Sequence, residues 1–247
     1  MNSIDLNCDM GEGFQNESEI MPFISSCNIA CGYHAGDEET MRRTIELALR
    51  HEVAIGAHPS FADREHFGRR EMDLDTVTIE KIVAEQVSKL MKMAHALGAK
   101  LNHVKPHGAL YNMAARSADI SRAVVRAIYR CDPHLKFMGM ASSEMARASK
   151  GLTFIAEGFM DRRYASQTEL VSRKNGGLLT NMEQIEKHLK QLLANGQVDT
   201  LNGKKSLTPD TLCVHGDTPG AAELIPQIAA KITSMGYQIK AHTDEMV

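Results

Sequence analysis

His103-Val104-Lys105-Pro106-His107-Gly108-Ala109-Leu110-Tyr111-Asn112 is the stretch that decides how the remaining sequence is read. Leu101 and Val104 belong to a strand-like run beginning at Lys100. Pro106 disfavours continuing either a ladder or a helix, so the pattern predicts a strand that ends just before His107. Two imidazoles, an ammonium and a phenol then crowd one strand exit, a loop position of the kind where function concentrates.

Moving outward, the same arrangement recurs. Strand-like runs at 4–8, 27–31, 53–57, 152–156 and 212–214 leave through Asp9-Met10-Gly11-Glu12-Gly13, Gly32-Tyr33-His34, His58-Pro59-Ser60, Glu157 to Tyr164 and His215-Gly216-Asp217, and 135–140 reads as a further strand. Between them lie helical faces: Met41, Thr44, Ile45 and Ala48; Ile79, Val83, Val87, Leu90 and Leu97; Ala123, Val124 and Ile128; Ile185, Leu189 and Leu192; Leu224, Ile225 and Ile228. A short helix is expected at 145–149. Asp37 is placed to cap the first long helix, and Gly98 and Gly196 to end two others in the left-handed region. Thr218 followed by Pro219 reads as a cap and first-turn proline, and Pro226 is expected to kink or restart the last helix. Residues 195–208 carry little apolar pattern.

Strand–helix alternation from end to end, with no linker or compositional break, predicts one α/β domain over 1–247. Asp9, His34, His58, His107, Asp161 and His215 all fall near predicted strand ends. A doubly wound sheet gathers only the residues beside its switch point, whereas a (β/α) barrel brings every strand C-terminus to one face. The breadth of the pattern therefore predicts a TIM-like barrel, irregular because only seven strands are apparent.

A chain of 247 residues with 43% hydrophobic and 24% charged residues can bury a large core. Its net charge of −3 and pI near 6.4, without a basic run, argue against nucleic acid and an anionic membrane surface as partners. No apolar run approaches spanning length and no basic-then-apolar leader opens the chain, so a cytoplasmic location is expected. Cys8, Cys27, Cys31, Cys131 and Cys213 are odd in number and lack zinc-type spacing, which predicts buried free thiols. The loop through Phe61 to Arg70 is expected to cover something, its Arg69 and Arg70 either gripping an anion or making surface salt bridges.

Taken together, Asp5 to Gly13, Asn28 to Asp37, Ala54 to Ser60, His103 to Asn112 and Val214 to Gly220 closely resemble the LamB/YcsF family, over about residues 3–242. The resemblance implies a deformed (β/α) barrel of the glycoside-hydrolase/deacetylase type. It also implies ATP-dependent opening of the lactam 5-oxoproline to glutamate, together with subunits B and C. An unstrained five-membered lactam is a poor electrophile, and phosphorylating its amide oxygen would activate it for water attack assisted by a general base. On this reading Asp9, Glu12, His34, His107 and Asp161 are the proton-transfer candidates and Lys105 the catalytic cation. Asn7, His58, Arg69, Arg70, Tyr111, Arg162, His215 and Asp217 fall to substrate binding. Lys105 reads equally as a structural ion pair with a barrel carboxylate, and Asn7 as satisfying turn backbone. No Walker A pattern is present, so ATP with Mg2+ is expected to bind at least partly on the partner subunits. Two alternatives are a non-catalytic lactam-binding regulator and a metal-dependent hydrolase with zinc held by His34, His58, His107 and His215 with Asp9 or Asp161. No HxxxH or HExxH spacing fixes two ligands on one element, so no metal is assigned from sequence.

Overall fold

The computed structural model describes residues 2–243. Seven parallel strands, β1 (Asn2–Met10), β2 (Ser26–Ala30), β3 (Ala54–His58), β4 (Leu101–Val104), β5 (Lys136–Met140), β6 (Phe154–Phe159) and a late strand at Thr211–Cys213, pair in that order. The late strand closes the ring on β1, with Asp5 to Asn7 against Thr211 to Cys213 on one side and Asn7 to Met10 against Ser26 to Ile29 on the other. This is the expected irregular (β/α) barrel. Four short strands leave the ring after β6: β7 (Tyr164–Ser166) and β8 (Glu169–Leu170), then β9 (Gln197–Thr200) and β10 (Gly203–Ser206), which form a separate small sheet. The late barrel strand is thus β11, and β12 (Tyr237–Ile239) lies alongside the first residues of β1.

The helices are α1 (Glu17–Ile20), α2 (Glu38–Arg50), α3 (Thr76–Ala96), α4 (Gly108–Arg116), α5 (Ala118–Cys131), α6 (Glu144–Ala148), α7 (Met182–Asn195) and α8 (Ala221–Ser234). Each long one buries a single stripe, such as Ile79, Val83, Val87 and Leu90 of α3, against the barrel or its neighbours. Asp37 caps α2 as expected, accepting from Thr40 N at 2.8 Å, and Gly98 and Gly196 adopt positive φ beyond the ends of α3 and α7.

Three expectations are corrected. Helix α4 begins inside the central stretch, at Gly108, where the sequence assigned no helix; His107 does lie just past the strand end, as the N-cap of that helix. Thr218 does not cap α8; Gly220 occupies that position at φ 76°, and the threonine hydroxyl donates instead to the buried carboxylate of Asp161. Of the two outcomes expected at Pro226, a kink or a restart, the restart is corrected: α8 runs unbroken from Ala221 to Ser234 with the proline inside it.

The barrel lumen is polar. Asp5, Asn7 and Asp9 alternate along β1 and all point inward, where they meet partners from other strands. Asp5 accepts from the hydroxyls of Ser25, Ser26 and Thr211. Asn7 donates to Thr211 Oγ1 at 2.8 Å and accepts from Asn28 Nδ2 at 2.8 Å. His103 of β4 reaches across to Asn28 of β2 at 2.7 Å. Branched apolar residues usually fill such an interior; here hydrogen-bonded layers rise through it toward the C-terminal mouth.

Candidate active site

At that mouth the strand exits converge on one continuous group of side chains. Lys105, just past β4, is fully buried, and its ammonium lies 2.9 Å from Asp9 Oδ1, 2.7 Å from Glu157 Oε1, 3.2 Å from Asn7 Oδ1 and 3.2 Å from Cys213 Sγ. Three protons are divided among four acceptors, so the cation is fully committed to holding the lumen together. Burial opposes its charge, but Asp9, Cys213 and Glu157 raise its pKa well above the ordinary lysine value. Tyr111 of α4 donates to the other Glu157 oxygen at 2.7 Å, and burial followed by that carboxylate pushes its phenol well up. Both side chains position neighbours; neither has a proton to spare.

On one flank Asp161 is wholly buried and accepts from His215 Nδ1 at 3.0 Å, from the His215 backbone N–H at 3.2 Å and from the Thr218 hydroxyl. Burial alone would raise its pKa; the His215 charge and these hydrogen bonds outweigh that and hold it at about 2. An ionised Asp161 holds the Nδ1–H of His215, and the ring's Nε2 has no hydrogen-bond partner among the described residues. The ring stacks on Phe159, centroids 5.6 Å apart, and retains some exposure.

On the other flank are Glu12, His34, His58 and His107. Carbonyl oxygens only accept, so His58 Nδ1, 2.7 Å from Lys105 O, and His107 Nε2, 2.9 Å from Phe67 O, must carry their protons. The remaining nitrogens, His58 Nε2 and His107 Nδ1, then face each other as lone pairs at 2.9 Å. Glu12 Oε1 lies 3.3 Å from His107 Nδ1, 3.0 Å from His34 Nε2 and 4.0 Å from His58 Nε2. Asp9 Oδ2 stands 3.3 Å from the same His58 nitrogen. His34 stacks face to face on His107 at 3.8 Å. Burial pushes the His34 imidazole down to about 2 and His107 well below its usual value, while burial and the Asp9 charge push the Glu12 carboxyl well up.

The loop expected to cover something covers these rings. Phe67, in the left-handed region at φ 55°, packs edge-on to His34 and His107 at 5.4 Å. Gly68 and Gly108 let the loop come this close: a Cβ on Gly108 would stand 2.5 Å from Gly68 O, and one on Gly68 2.3 Å from Ser60 Oγ. Arg69 turns to Asp217, which Arg173 also grips at 2.7 Å. Arg70 turns outward to Asp63 at 3.3 Å, so the two arginines make internal salt bridges and Arg70 stands apart from the cluster. Arg162 donates to Val171 O at 2.8 Å and has its Nε buried without a partner among the described residues.

The site therefore unites Asn7, Asp9, Glu12, His34, His58, Lys105, His107, Tyr111, Asp161 and His215. It adds three residues to which the sequence assigned no role. Glu157 and Asn28 sit inside strands, where period-2 alternation marks inward positions without telling polar from catalytic duty. Arg173 lies in a short helical turn with no motif around it. Two sets of side chains bring metal-type ligand atoms within 4.8 Å of one another: Glu12, His34, His58 and His107, and Asp9, Cys213 and His215.

A parallel barrel with a polar catalytic-type mouth is the class that fold and site define. Comparison makes it specific: the chain belongs to the LamB/YcsF family, whose profile matches residues 4–247. A protein from Bacillus cereus (strain ATCC 10987 / NRS 248), named as the A subunit of 5-oxoprolinase, is 42% identical over 98% of this chain and 99% of its own length. Another of that name, from Bacillus cereus strain ZK, is 43% identical over 92% and 94%. Among solved structures, the Lactam Utilization Protein from Thermus thermophilus superposes with a TM-score of 0.89 at 33% identity, covering 97% of this chain and 99% of that one. A family 4 carbohydrate esterase from Streptomyces lividans, at 11% identity and TM-score 0.51 over 96% and 91%, shares the fold alone.

Proposed function

We propose that this chain is the lactam-opening subunit of an ATP-dependent 5-oxoprolinase, converting 5-oxo-L-proline to L-glutamate together with subunits B and C. The observation that carries the reading is the Asp161–His215 pair at the mouth of a barrel whose relatives are named as A subunits of 5-oxoprolinase. An imidazole locked by a buried carboxylate, with its second nitrogen unpartnered, is built to take a proton from water.

His215 Nε2 removes a proton from water as oxygen attacks the lactam carbonyl carbon, and the resulting imidazolium is stabilised by Asp161. That same proton then goes to the ring nitrogen as the C–N bond breaks, which restores neutral His215. The buried, unpartnered N–H of Arg162 is a donor for the substrate carboxylate. Lys105 favours the ionised form of Asp9, holds both Asp9 and Glu157 in place and has no free donor for the substrate.

Such an amide needs activation before attack: with its oxygen phosphorylated by ATP, the first water opens the ring to the γ-glutamyl phosphate and a second releases inorganic phosphate and glutamate, so one ATP and two waters are consumed. The sequence has no P-loop to cradle phosphates, which supports ATP and Mg2+ binding at least partly on the partner subunits. Five free thiols and the absence, among the described residues, of any helix long and apolar enough to cross a membrane support work in the cytoplasm. The test is 5-oxoproline-dependent ATP hydrolysis and glutamate release by this chain alone, by the partner subunits alone and by the mixture. Glutamate is expected from the mixture only, with the partners alone consuming ATP. Full glutamate output from the partners without this chain would overturn the assignment.

A further inference from the structure

The Asp161–His215 flank is electrically matched; the other flank carries an excess of acceptors that the fold does not answer. Two backbone carbonyls dictate the tautomers of His58 and His107 and aim their lone pairs at each other at 2.9 Å. Glu12 Oε1 adds a third acceptor, and His34 Nε2, 3.0 Å from it and its hydrogen-bond partner in one tautomer, completes the set, the four side chains offering ligand atoms within 4.8 Å of one another. The four side chains are almost wholly buried, so solvent does not relieve the repulsion. One extra proton bridges one of these contacts and leaves the others, including Asp9 Oδ2 against His58 Nε2 at 3.3 Å.

We propose that Glu12, His34, His58 and His107 bind a divalent transition-metal cation of the zinc and cobalt class. One dication takes one ligand atom from each of the four side chains. With bonds of about 2.0–2.1 Å, neighbouring ligand atoms of a tetrahedral shell stand about 3.3 Å apart. The contacts of 2.9, 3.0, 3.3 and 4.0 Å bracket that spacing before any ligand has moved. Three imidazoles and one carboxylate select zinc or cobalt over magnesium, which separates this site from any Mg2+ that accompanies ATP. The carbonyls of Lys105 and Phe67 already supply the outer hydrogen bonds that orient ligating histidines.

The inference does not depend on lactam chemistry, and its test uses binding. The full chain, stripped by chelator, is titrated with Co2+ and followed by calorimetry and the visible ligand-field spectrum. One equivalent is expected, displaced by Zn2+, with the intense bands of four-coordinate cobalt and no sulfur-to-cobalt charge transfer. Glu12→Gln and His34→Gln should each weaken binding by about 100-fold or more, and His58→Gln/His107→Gln should abolish the spectrum. Circular dichroism checks that each variant is folded; if the double variant is not, the two single variants decide. No stoichiometric binding by the stripped wild type overturns the proposal. So does binding unchanged in the variants, or a thiolate charge-transfer band, which would place the metal at Cys213.

Discussion

His103 and His107 lie four residues apart, yet they belong to opposite kinds of environment. His103 sits in the lumen, where Nε2–H donates to Asn28 Oδ1 at 2.7 Å and Nδ1 accepts from Asn102 Nδ2 at 3.3 Å, so each nitrogen has its complement. His107 sits at the mouth, where Nε2–H is spent on Phe67 O and Nδ1 points at another lone pair. Buried polar groups in a folded protein are normally matched. A lumen that obeys this rule and a mouth that breaks it, within one continuous network, separate what holds the barrel together from what awaits a ligand or a reaction.

The largest effect expected from breaking the matched side is Asp161→Asn. The amide keeps the shape but loses the charge that fixes the His215 tautomer, so glutamate release by the reconstituted complex should fall by on the order of 10²–10⁴-fold, with the thermal midpoint far less affected. Unchanged turnover would take the base away from His215. Next is Lys105→Met, which leaves Asp9 and Glu157 buried without their cation. Removing one partner of a buried pair costs about 3–5 kcal/mol, and denaturant titration of Lys105→Met against Lys105→Met/Glu157→Gln should show the double variant as the more stable. The opposite order would mean that the lumen does not depend on charge pairing.

A third, smaller effect sharpens the contrast inside the lumen. A Cβ at Gly56 would stand 2.1 Å from His103 Nε2, a distance no side chain tolerates. Gly56→Ala should therefore displace the ring from Asn28, costing about 1–3 kcal/mol in unfolding free energy. A crystal structure of the variant should show the His103–Asn28 hydrogen bond broken; an intact bond and unchanged stability would show that the β3–β4 spacing is softer than it looks.

Much of this architecture was legible in the chain. Seven apolar runs, six of them released into Asp, His or Glu, were enough to place a barrel and its working face, because period-2 burial and glycine-marked exits are local signals. Partner choice was not local. Nothing in Thr218-Pro219 says that a carboxylate 57 residues earlier competes for the hydroxyl and wins it from the helix. Likewise Arg69 and Arg70 read alike, yet one meets Asp217 across the mouth and the other Asp63 beside it. The β9–β10 hairpin escaped notice because β10 is exposed along its whole length and buries no face to pattern. His58 and His107 could be named as site residues, but their tautomers follow from two carbonyls that only the fold brings near.

The last prediction uses pH to weigh the matched histidine by itself. Burial, then the charges of Lys105 and Lys136, push the His103 pKa down to about 3. Its Nδ1 faces the Asn102 amide, whose oxygen is held by Lys136 Nζ at 3.0 Å, so protonation would set two donors against each other. In the unfolded chain the imidazole titrates near its ordinary value of about 6.5. Below that pH the unfolded state takes up a proton that the native state refuses until pH falls to about 3, so this group removes stability as the solution is acidified. The slope is half its maximum of about 1.4 kcal/mol per pH unit at pH 6.5 and approaches the maximum by pH 5, which gives roughly 1.5 kcal/mol over that interval. Other buried histidines contribute slopes of their own, which cancel when wild type is compared with His103→Gln by denaturant titration across the same range. The wild type should lose roughly 1.5 kcal/mol more than the variant over that interval. Parallel curves would mean that His103 accepts a proton in the folded barrel, and the lumen would then share the electrical mismatch found at the mouth.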